Sequence, residues 1–86
     1  MPMNKKQRKI LEVIFRNPVS PSIAWTDIEA LLAAVGAVKS EGNGSRVRFK
    51  LNGVRAIFHR PHPAPNTDKG AVKSVRRFLE AAGVKP

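Results

Sequence analysis

Apolar and basic residues alternate near the middle of the chain, and this alternation predicts a β-hairpin. Val47, Phe49 and Leu51 are apolar, and a cationic residue precedes each of them. Successive side chains of a strand point to opposite faces, so the pattern places the apolar residues in a core and the cations in water. Asn52-Gly53, which follows, is typical of a two-residue type I′ turn, because both residues tolerate positive φ angles.

The turn fixes the register of the hairpin, and the register decides which side chains share its outer face. Counting outward from the turn places Arg55 opposite Lys50 and, at the far end, His59 opposite Arg46. Ile57 is the one apolar residue predicted on this face. The face is otherwise predicted to hold four permanent cations and one histidine: Arg46, Arg48, Lys50, Arg55 and His59. Such a surface favours a polyanionic partner.

Three helices are predicted around the hairpin. Asn4 caps the first helix, which runs to about Phe15. Thr26 and Glu29 have the spacing of a capping box, in which each side chain bonds the other residue's amide, so a second helix begins there. Thr67 is predicted to cap the last helix. That helix turns five apolar residues inward: Val72, Val75, Phe78, Leu79 and Ala82.

Short irregular segments separate these elements. Residues 18–23 are predicted to form an extended connector, and residues 37–40 a short first strand. Residues 60–66 contain three prolines, which donate no backbone hydrogen bond, so we expect this segment to stay outside the sheet.

The predicted fold class is α+β, in the order α-α-β-β-β-α. A three-stranded antiparallel sheet carries the helices on one face, as in double-stranded-RNA-binding domains. We expect a single domain over residues 1–86. Within it, a helix and connector occupy residues 1–25 and the α-β-β-β-α core occupies residues 26–84.

Basic residues outnumber acidic ones, and the excess is concentrated in the second half of the chain. The 86 residues include 16 Lys+Arg and 6 Asp+Glu, a formal net charge of +10. Residues 42–86 alone hold ten basic and two acidic side chains. This excess favours contact with an acidic polymer such as RNA.

Cysteine usage and hydropathy limit the remaining classes. The chain has no cysteine, which excludes disulfides and thiolate metal sites. No apolar run is long enough to span a membrane, and no secretory signal pattern is present. We therefore expect a cytoplasmic protein that does not bind membranes.

The two histidines of the chain, His59 and His62, are candidates for proton transfer. Histidine exchanges a proton near neutral pH, and RNA supplies its own nucleophile, since the 2′-hydroxyl can attack the adjacent phosphate. The cations predicted nearby are Arg46, Arg48 and Arg60. A structural role is the alternative for each histidine: His59 ending a strand, and His62 packing in a proline-flanked loop. No carboxylate lies nearer than Asp68, so neither a metal site nor a cofactor is expected.

The last helix is predicted to carry a second basic strip, formed by Lys69, Lys73, Arg76 and Arg77. Exposed amides at the start of that helix, its dipole and Lys69 would together hold a phosphate. The predicted RNA-binding residues are therefore Arg46, Arg48, Lys50, Arg55, Arg60, Lys69 and Lys73.

Three short motifs are Gly44-Ser45, His62-Pro63 and the helix end from Leu79 to Gly83. In these motifs the chain resembles the HicA family, the toxin halves of HicA–HicB toxin–antitoxin pairs. The resemblance covers residues 26–84. It implies a compact fold of double-stranded-RNA-binding type and cleavage of mRNA. It also implies a HicB-like antitoxin that masks the active face.

One position departs from the family pattern. In the family, a catalytic histidine stands one or two residues after the Gly-Ser pair. Here those positions are Arg46 and Val47, neither of which exchanges a proton near neutral pH. His59 lies across the hairpin from Arg46, so we expect it to replace the missing base, with His62 as the acid or a substrate-orienting group.

Two other interpretations stay open on the sequence alone. The protein could be a non-catalytic RNA-binding module that lost its nuclease activity with the histidine. It could also be a basic protein whose cationic face docks an acidic antitoxin, since complementary charge serves partner choice and association rate.

Overall fold

The computed structural model describes residues 3–20, 22–61 and 65–86. In chain order, the elements are α1 (Lys5–Ile14), β1 (Ile23–Ala24), α2 (Trp25–Ala34), β2 (Val38–Glu41), β3 (Arg46–Leu51), β4 (Val54–His59), β5 (Asn66–Thr67) and α3 (Lys69–Ala81). The predicted α+β class, with its order of three helices and three main strands, is confirmed. The short strands β1 and β5 are additions.

The main sheet is antiparallel with the strand order β2-β3-β4, and its register agrees with the prediction. Arg46 pairs with His59 at the far end of the hairpin. At the near end, Asn52 has φ 51° and Gly53 has φ 80°, as a type I′ turn requires. Along β3, buried apolar residues alternate with exposed cations. The sequence pattern therefore determined both the pairing and the faces of this hairpin.

Phe58, on the inner face of β4, joins the sheet to two helices. Its ring meets Trp25 of α2 edge-on, with centroids 5.9 Å apart, and Phe78 of α3 at 5.8 Å. Phe49 of β3 is tilted against it at 6.1 Å. The core around these rings buries residues of every helix and of β3: Leu11, Ile14, Ile28, Leu31, Leu32, Val47, Leu51, Val72, Val75, Leu79 and Ala82. The inner stripe predicted for the last helix is thus confirmed.

Two predicted helix caps are wrong, because a short strand runs directly up to each helix. Thr26 does not cap α2. The helix begins at Trp25, and its N-cap, two residues before the predicted cap, is Ala24, which makes no side-chain bond. Thr67 does not cap α3, since it is buried within β5. Asp68 caps α3 instead, and its carboxylate accepts a 2.7 Å hydrogen bond from the amide of Ala71.

β1 and β5 form a two-residue antiparallel bridge in which Ala24 pairs with Asn66. The prediction that residues 60–66 stay outside any sheet is therefore wrong at Asn66, and the connector predicted over residues 18–23 ends in a strand. Proline lacks a donor, but its carbonyl still accepts. The oxygen of Pro65 receives a 3.0 Å hydrogen bond from the first residue of α2.

The end of α2 moves the first main strand by one residue. Gly36, at φ 101°, terminates the helix in the left-handed region. The next amide, that of Ala37, donates to the carbonyl of Leu32 at 2.9 Å, in the pattern of a Schellman motif. Because this amide completes the helix, the strand begins at Val38, one residue later than predicted.

The contrast between two adjacent residues of β4 tests this packing. Phe58→Ala should lower the free energy of unfolding by about 3–5 kcal/mol, because it empties the centre of the aromatic cluster. Ile57→Ala, on the outer face, should change it by less than about 0.5 kcal/mol. Urea titration followed by the fluorescence of Trp25 measures both.

If Phe58→Ala does not fold, Phe58→Leu provides the milder comparison with the same sign. Equal losses from Phe58→Leu and Ile57→Ala would contradict the assignment of the two faces.

Candidate nucleic-acid interface

The outer face of the main sheet gathers the cations that the hairpin register predicts. Eight side chains belong to this face: Val38, Ser40, Arg46, Arg48, Lys50, Arg55, Ile57 and His59. All eight are exposed, and none of these strand residues is acidic. A cleft of about 460 Å³ crosses the face, with Arg48, Lys50 and Arg55 among its lining residues. The face therefore offers cations along a continuous surface.

Like charges meet directly on this face. Lys50 and Arg55 are cross-strand partners, an arrangement that destabilises an antiparallel pair. Arg48 lies between Ser40 and Ile57, and its guanidinium donates to the carbonyl oxygen of Glu41 at 2.9 Å. Folding alone gives no reason to pair Lys50 with Arg55, whereas a bound polyanion would remove the repulsion.

His59 lies at the end of β4, exposed on the same face as Arg46. One residue beyond it, the amide of Arg60 donates to the carbonyl of Ser45 at 2.9 Å. This bond holds the start of β3 against the end of β4, so His59 lies beside the position where the Gly-Ser motif enters the strand. His62, the second predicted histidine, lies outside the described residues.

Arg60 is placed apart from the other predicted RNA-binding residues. Side chains alternate, so the residue after His59 points to the helical side of the sheet. There the guanidinium donates to Glu29 at 2.8 Å and to both carboxylate oxygens of Glu41 at 2.7 and 2.9 Å. Three of its five donors are thus used within the fold. Continuing the alternation of side chains one residue past β4 predicts from the sequence alone that Arg60 points to the helical side.

Glu29 lies at the centre of this ion cluster, a role that the predicted capping box concealed. Its carboxylate accepts hydrogen bonds from the Trp25 indole, from Lys39 at 3.3 Å and from Arg60. Burial raises the pKa of Glu29, but the hydrogen bonds from Arg60, Trp25 and Lys39 outweigh it and leave the pKa below its usual value. The bidentate bond from Arg60 likewise lowers the pKa of Glu41.

Only part of the basic strip predicted on the last helix is exposed and not bonded within the fold. Lys69, Lys73 and Arg77 are exposed. Arg76 is half-buried, and its guanidinium donates to the carbonyls of Ile14 at 2.8 Å and Arg16 at 2.9 Å. Arg76 therefore fastens α3 to the end of α1. Lys69 and Lys73 remain available to a ligand at the start of α3.

Two further findings concern membrane spans and metal sites. Within residues 3–20, 22–61 and 65–86, no helix combines the length and apolar character that a bilayer span needs. The same residues hold no group of three or more His, Cys, Asp and Glu side chains placed to bind a metal ion.

The ion cluster of Glu29, Lys39, Glu41 and Arg60 should make the stability of the fold sensitive to acid. Because folding lowers the pKa of Glu29, its ionised carboxylate stabilises the fold at every pH above 4.5, the ordinary pKa of glutamate. This stabilisation is lost as the pH falls through the lowered pKa. The melting temperature of the wild type should therefore fall more steeply between about pH 5 and pH 3 than that of Glu29→Gln, which is less stable at neutral pH.

Thermal melts followed by Trp25 fluorescence measure the difference. Glu80→Gln, which removes an exposed glutamate of α3, is the control and should parallel the wild type. Equal pH slopes for the wild type and Glu29→Gln would contradict the role given to the cluster.

Comparison with known proteins assigns the family. Residues 25–84, more than two thirds of the chain, match the family described as HicA toxin of bacterial toxin-antitoxin. No curated protein and no solved structure matches the chain. The matched span contains the whole main sheet with α2 and α3, and it leaves α1 outside. The resemblance found in the sequence motifs is confirmed, and the chain belongs to the HicA family, the toxins of bacterial toxin–antitoxin systems.

Proposed function

We propose that this toxin is an mRNA interferase, an RNA-binding endonuclease that cleaves RNA without a metal ion. One observation carries the proposal: four cations and a histidine share one face of the sheet, and none of the eight side chains on that face is acidic. A face of this kind attracts the phosphate chain and repels no part of it.

Phosphate contacts position the RNA. Arg46, Arg48, Lys50 and Arg55 lie on the sheet face, and Lys69 and Lys73 extend the contacts to the start of α3. Contacts to phosphates give affinity and a strong salt dependence but little sequence reading. Arg60, held between Glu29 and Glu41, contributes by fixing the end of β4.

The chemistry follows from the RNA itself. The 2′-hydroxyl attacks the adjacent phosphorus while a base removes its proton. The bond from phosphorus to the 5′-oxygen then breaks, an acid protonates that oxygen, and a 2′,3′-cyclic phosphate remains. We assign the base to His59, and the acid or an orienting role to His62. Arg46, the cross-strand partner of His59, would stabilise the negative charge that develops on the phosphoryl oxygens.

A second candidate function is protein docking on the same face. Val38 and Ile57 are 68% and 60% exposed among these cations, and they are the large apolar residues most exposed to solvent in the described chain. Apolar anchors surrounded by charge are typical of protein interfaces. We therefore propose that the antitoxin partner is an acidic, HicB-like protein that covers this face. A non-catalytic RNA-binding module remains the alternative to the nuclease.

Cleavage of a labelled mRNA in EDTA tests the catalytic assignment. His59→Ala should lower the cleavage rate by roughly 10²–10⁴-fold, the usual contribution of a positioned acid or base, while RNA affinity stays near that of the wild type. His62→Ala should lower the rate in the same direction. Asn66→Ala, beyond the proline-rich segment, is the control and should cleave normally.

Two other outcomes would contradict the proposed nuclease mechanism. Cleavage that survives both histidine substitutions would point to a contaminating enzyme. RNA binding without cleavage by the wild type would favour the binding module.

The salt dependence of RNA binding tests the electrostatic assignment. Lys50→Gln should reduce the magnitude of the slope of log affinity against log salt by about 0.7, because one phosphate contact to a single strand is lost. Lys39→Gln is the matched control. It removes the same charge from the same sheet, but its side chain contacts Glu29 on the helical side.

Fluorescence anisotropy with a labelled 2′-O-methyl RNA, which lacks the attacking hydroxyl and so is not cleaved, measures both slopes over several salt concentrations. Equal reductions by the two variants would show that net charge alone acts, and would contradict a binding site on the outer face.

A further inference from the structure

The N-terminal helix α1 lies outside the span matched to the family, yet it is a fixed part of the surface. Asn4 caps it as predicted, accepting from the Gln7 amide at 2.8 Å, while the Gln7 side chain accepts from the Asn4 amide at 3.0 Å. Leu11 and Ile14 are buried in the core. The guanidinium of Arg76 holds the end of the helix through the Ile14 carbonyl. The exposed side of α1 is therefore presented in one orientation.

The charges of α1 oppose its own dipole. Its first turn has no acidic residue and its last turn no basic one, whereas Lys5, Arg8 and Lys9 fall in its first half. Cations near a helix N-terminus are unfavourable, and like charges three or four residues apart repel. Lys6 is compensated by Asp27 at 3.3 Å. None of the salt bridges among the described residues involves the other three. Helix stability thus does not account for them.

The tertiary structure adds a further cation to this cluster. A cleft of about 180 Å³ between α1 and the C-terminal tail is lined by Arg8 and Glu12 on one side and by Lys85 on the other. Lys85 is distant from α1 in sequence and is placed beside it only by folding. Glu12 is the one acidic residue among the lining side chains. We name Lys5, Arg8, Lys9 and Lys85 the α1 patch.

We propose that the α1 patch is a second RNA-binding surface, which holds the phosphate chain of an RNA that also occupies the sheet. The proposal rests on the proposed function only in taking RNA as the polyanion. A bound phosphate chain would compensate the unpaired charges that α1 carries against its dipole. The patch makes no use of the Gly-Ser motif or the histidines.

Other polyanionic partners fit the patch less well. A membrane-binding helix presents an apolar face to the bilayer, but no apolar residue of α1 is fully exposed, and Leu11 and Ile14 face the core. A protein interface needs an apolar or aromatic anchor at its centre. The sheet offers Ile57 for that purpose, whereas Met3 and Leu11, which line the cleft beside the α1 patch, are not among the exposed large apolar residues of the described chain.

The position of α1 separates the two surfaces. α1 packs on α2 and α3, and these helices cover the inner face of the sheet through Trp25 and Phe78. The α1 patch therefore lies on the helical side, away from the outer face of the sheet. A long RNA can engage both surfaces at once and gain from their linkage, whereas a short RNA occupies one surface at a time.

RNA length separates the α1 patch from the sheet experimentally. The triple variant Lys5→Gln/Arg8→Gln/Lys9→Gln should bind an RNA of about 30 nucleotides much more weakly than the wild type does. Its loss of affinity should be far smaller for an RNA of about six nucleotides, which can still occupy the sheet. When the salt concentration rises from about 50 to 200 mM, the triple variant should lose affinity for the long RNA by a factor roughly 15–20 times smaller than the wild type does, because it lacks three single-strand phosphate contacts. Fluorescence anisotropy with 2′-O-methyl RNA, which lacks the attacking hydroxyl and so is not cleaved, measures all of these affinities.

A variant that removes a negative charge from the same cleft should have the opposite effect on RNA affinity. Glu12→Gln should tighten binding of the long RNA, because it removes the acidic residue of the cleft. Glu80→Gln, which makes the same change on α3 and does not line the cleft, should leave the affinity unchanged. All four side chains altered on α1 are exposed, so thermal melts should show no loss of stability.

The outcomes separate this proposal from the nuclease. An unchanged affinity and salt slope for the long RNA would overturn the α1 patch, and so would equal losses for long and short RNA. A length-dependent loss in a protein that cleaves no RNA would support the patch while removing the catalytic assignment of His59.

Discussion

The register of the central hairpin is the constraint on which the rest of the structure depends. Asn52 and Gly53 adopt the positive φ angles of a two-residue turn, and a turn of that length permits one alignment of the strands. A slip of one residue would exchange the faces, placing the cations of β3 in the core and Phe49 in water. Core packing on one side and the cationic surface on the other are thus consequences of a single pairing.

A second constraint operates at the far end of the same hairpin. Arg60 joins Glu29 of α2 to Glu41 of β2, and its amide binds the carbonyl of Ser45. Half-buried ion pairs of this kind add little stability relative to well-packed apolar residues, because desolvation offsets their attraction. Loss of one partner is nevertheless costly, and the pairs fix geometry. Here they hold the end of β4, and with it His59, against the start of β3. An arginine predicted from the sequence to bind RNA therefore fixes the end of β4 from the opposite face of the sheet.

The cationic surfaces carry a stability cost that the core must offset. Lys50 faces Arg55 across the strands, and Lys5 and Lys9 repel each other at the unfavourable end of α1. A net charge of +10 on 86 residues adds general repulsion. The aromatic cluster around Phe58 and the aliphatic core supply the opposing stabilisation. The apolar stripes are therefore regular, whereas Lys5, Lys9 and the Lys50–Arg55 pair lie where helix or sheet stability alone would disfavour them.

The sequence by itself determined the elements whose signals are local. Two-residue alternation fixed the hairpin, a preferred turn fixed its register, and helical spacing identified the stripe of α3 from Val72 to Ala82, because each signal acts over a few neighbouring residues. The tertiary structure decided what depends on contacts between distant residues. The pairing of β1 with β5 moved both predicted caps, Glu29 became an ion-pair centre instead of part of a capping box, and Lys85 came to lie beside Arg8. No local pattern encodes such contacts, since they form only when elements far apart in the chain pack together.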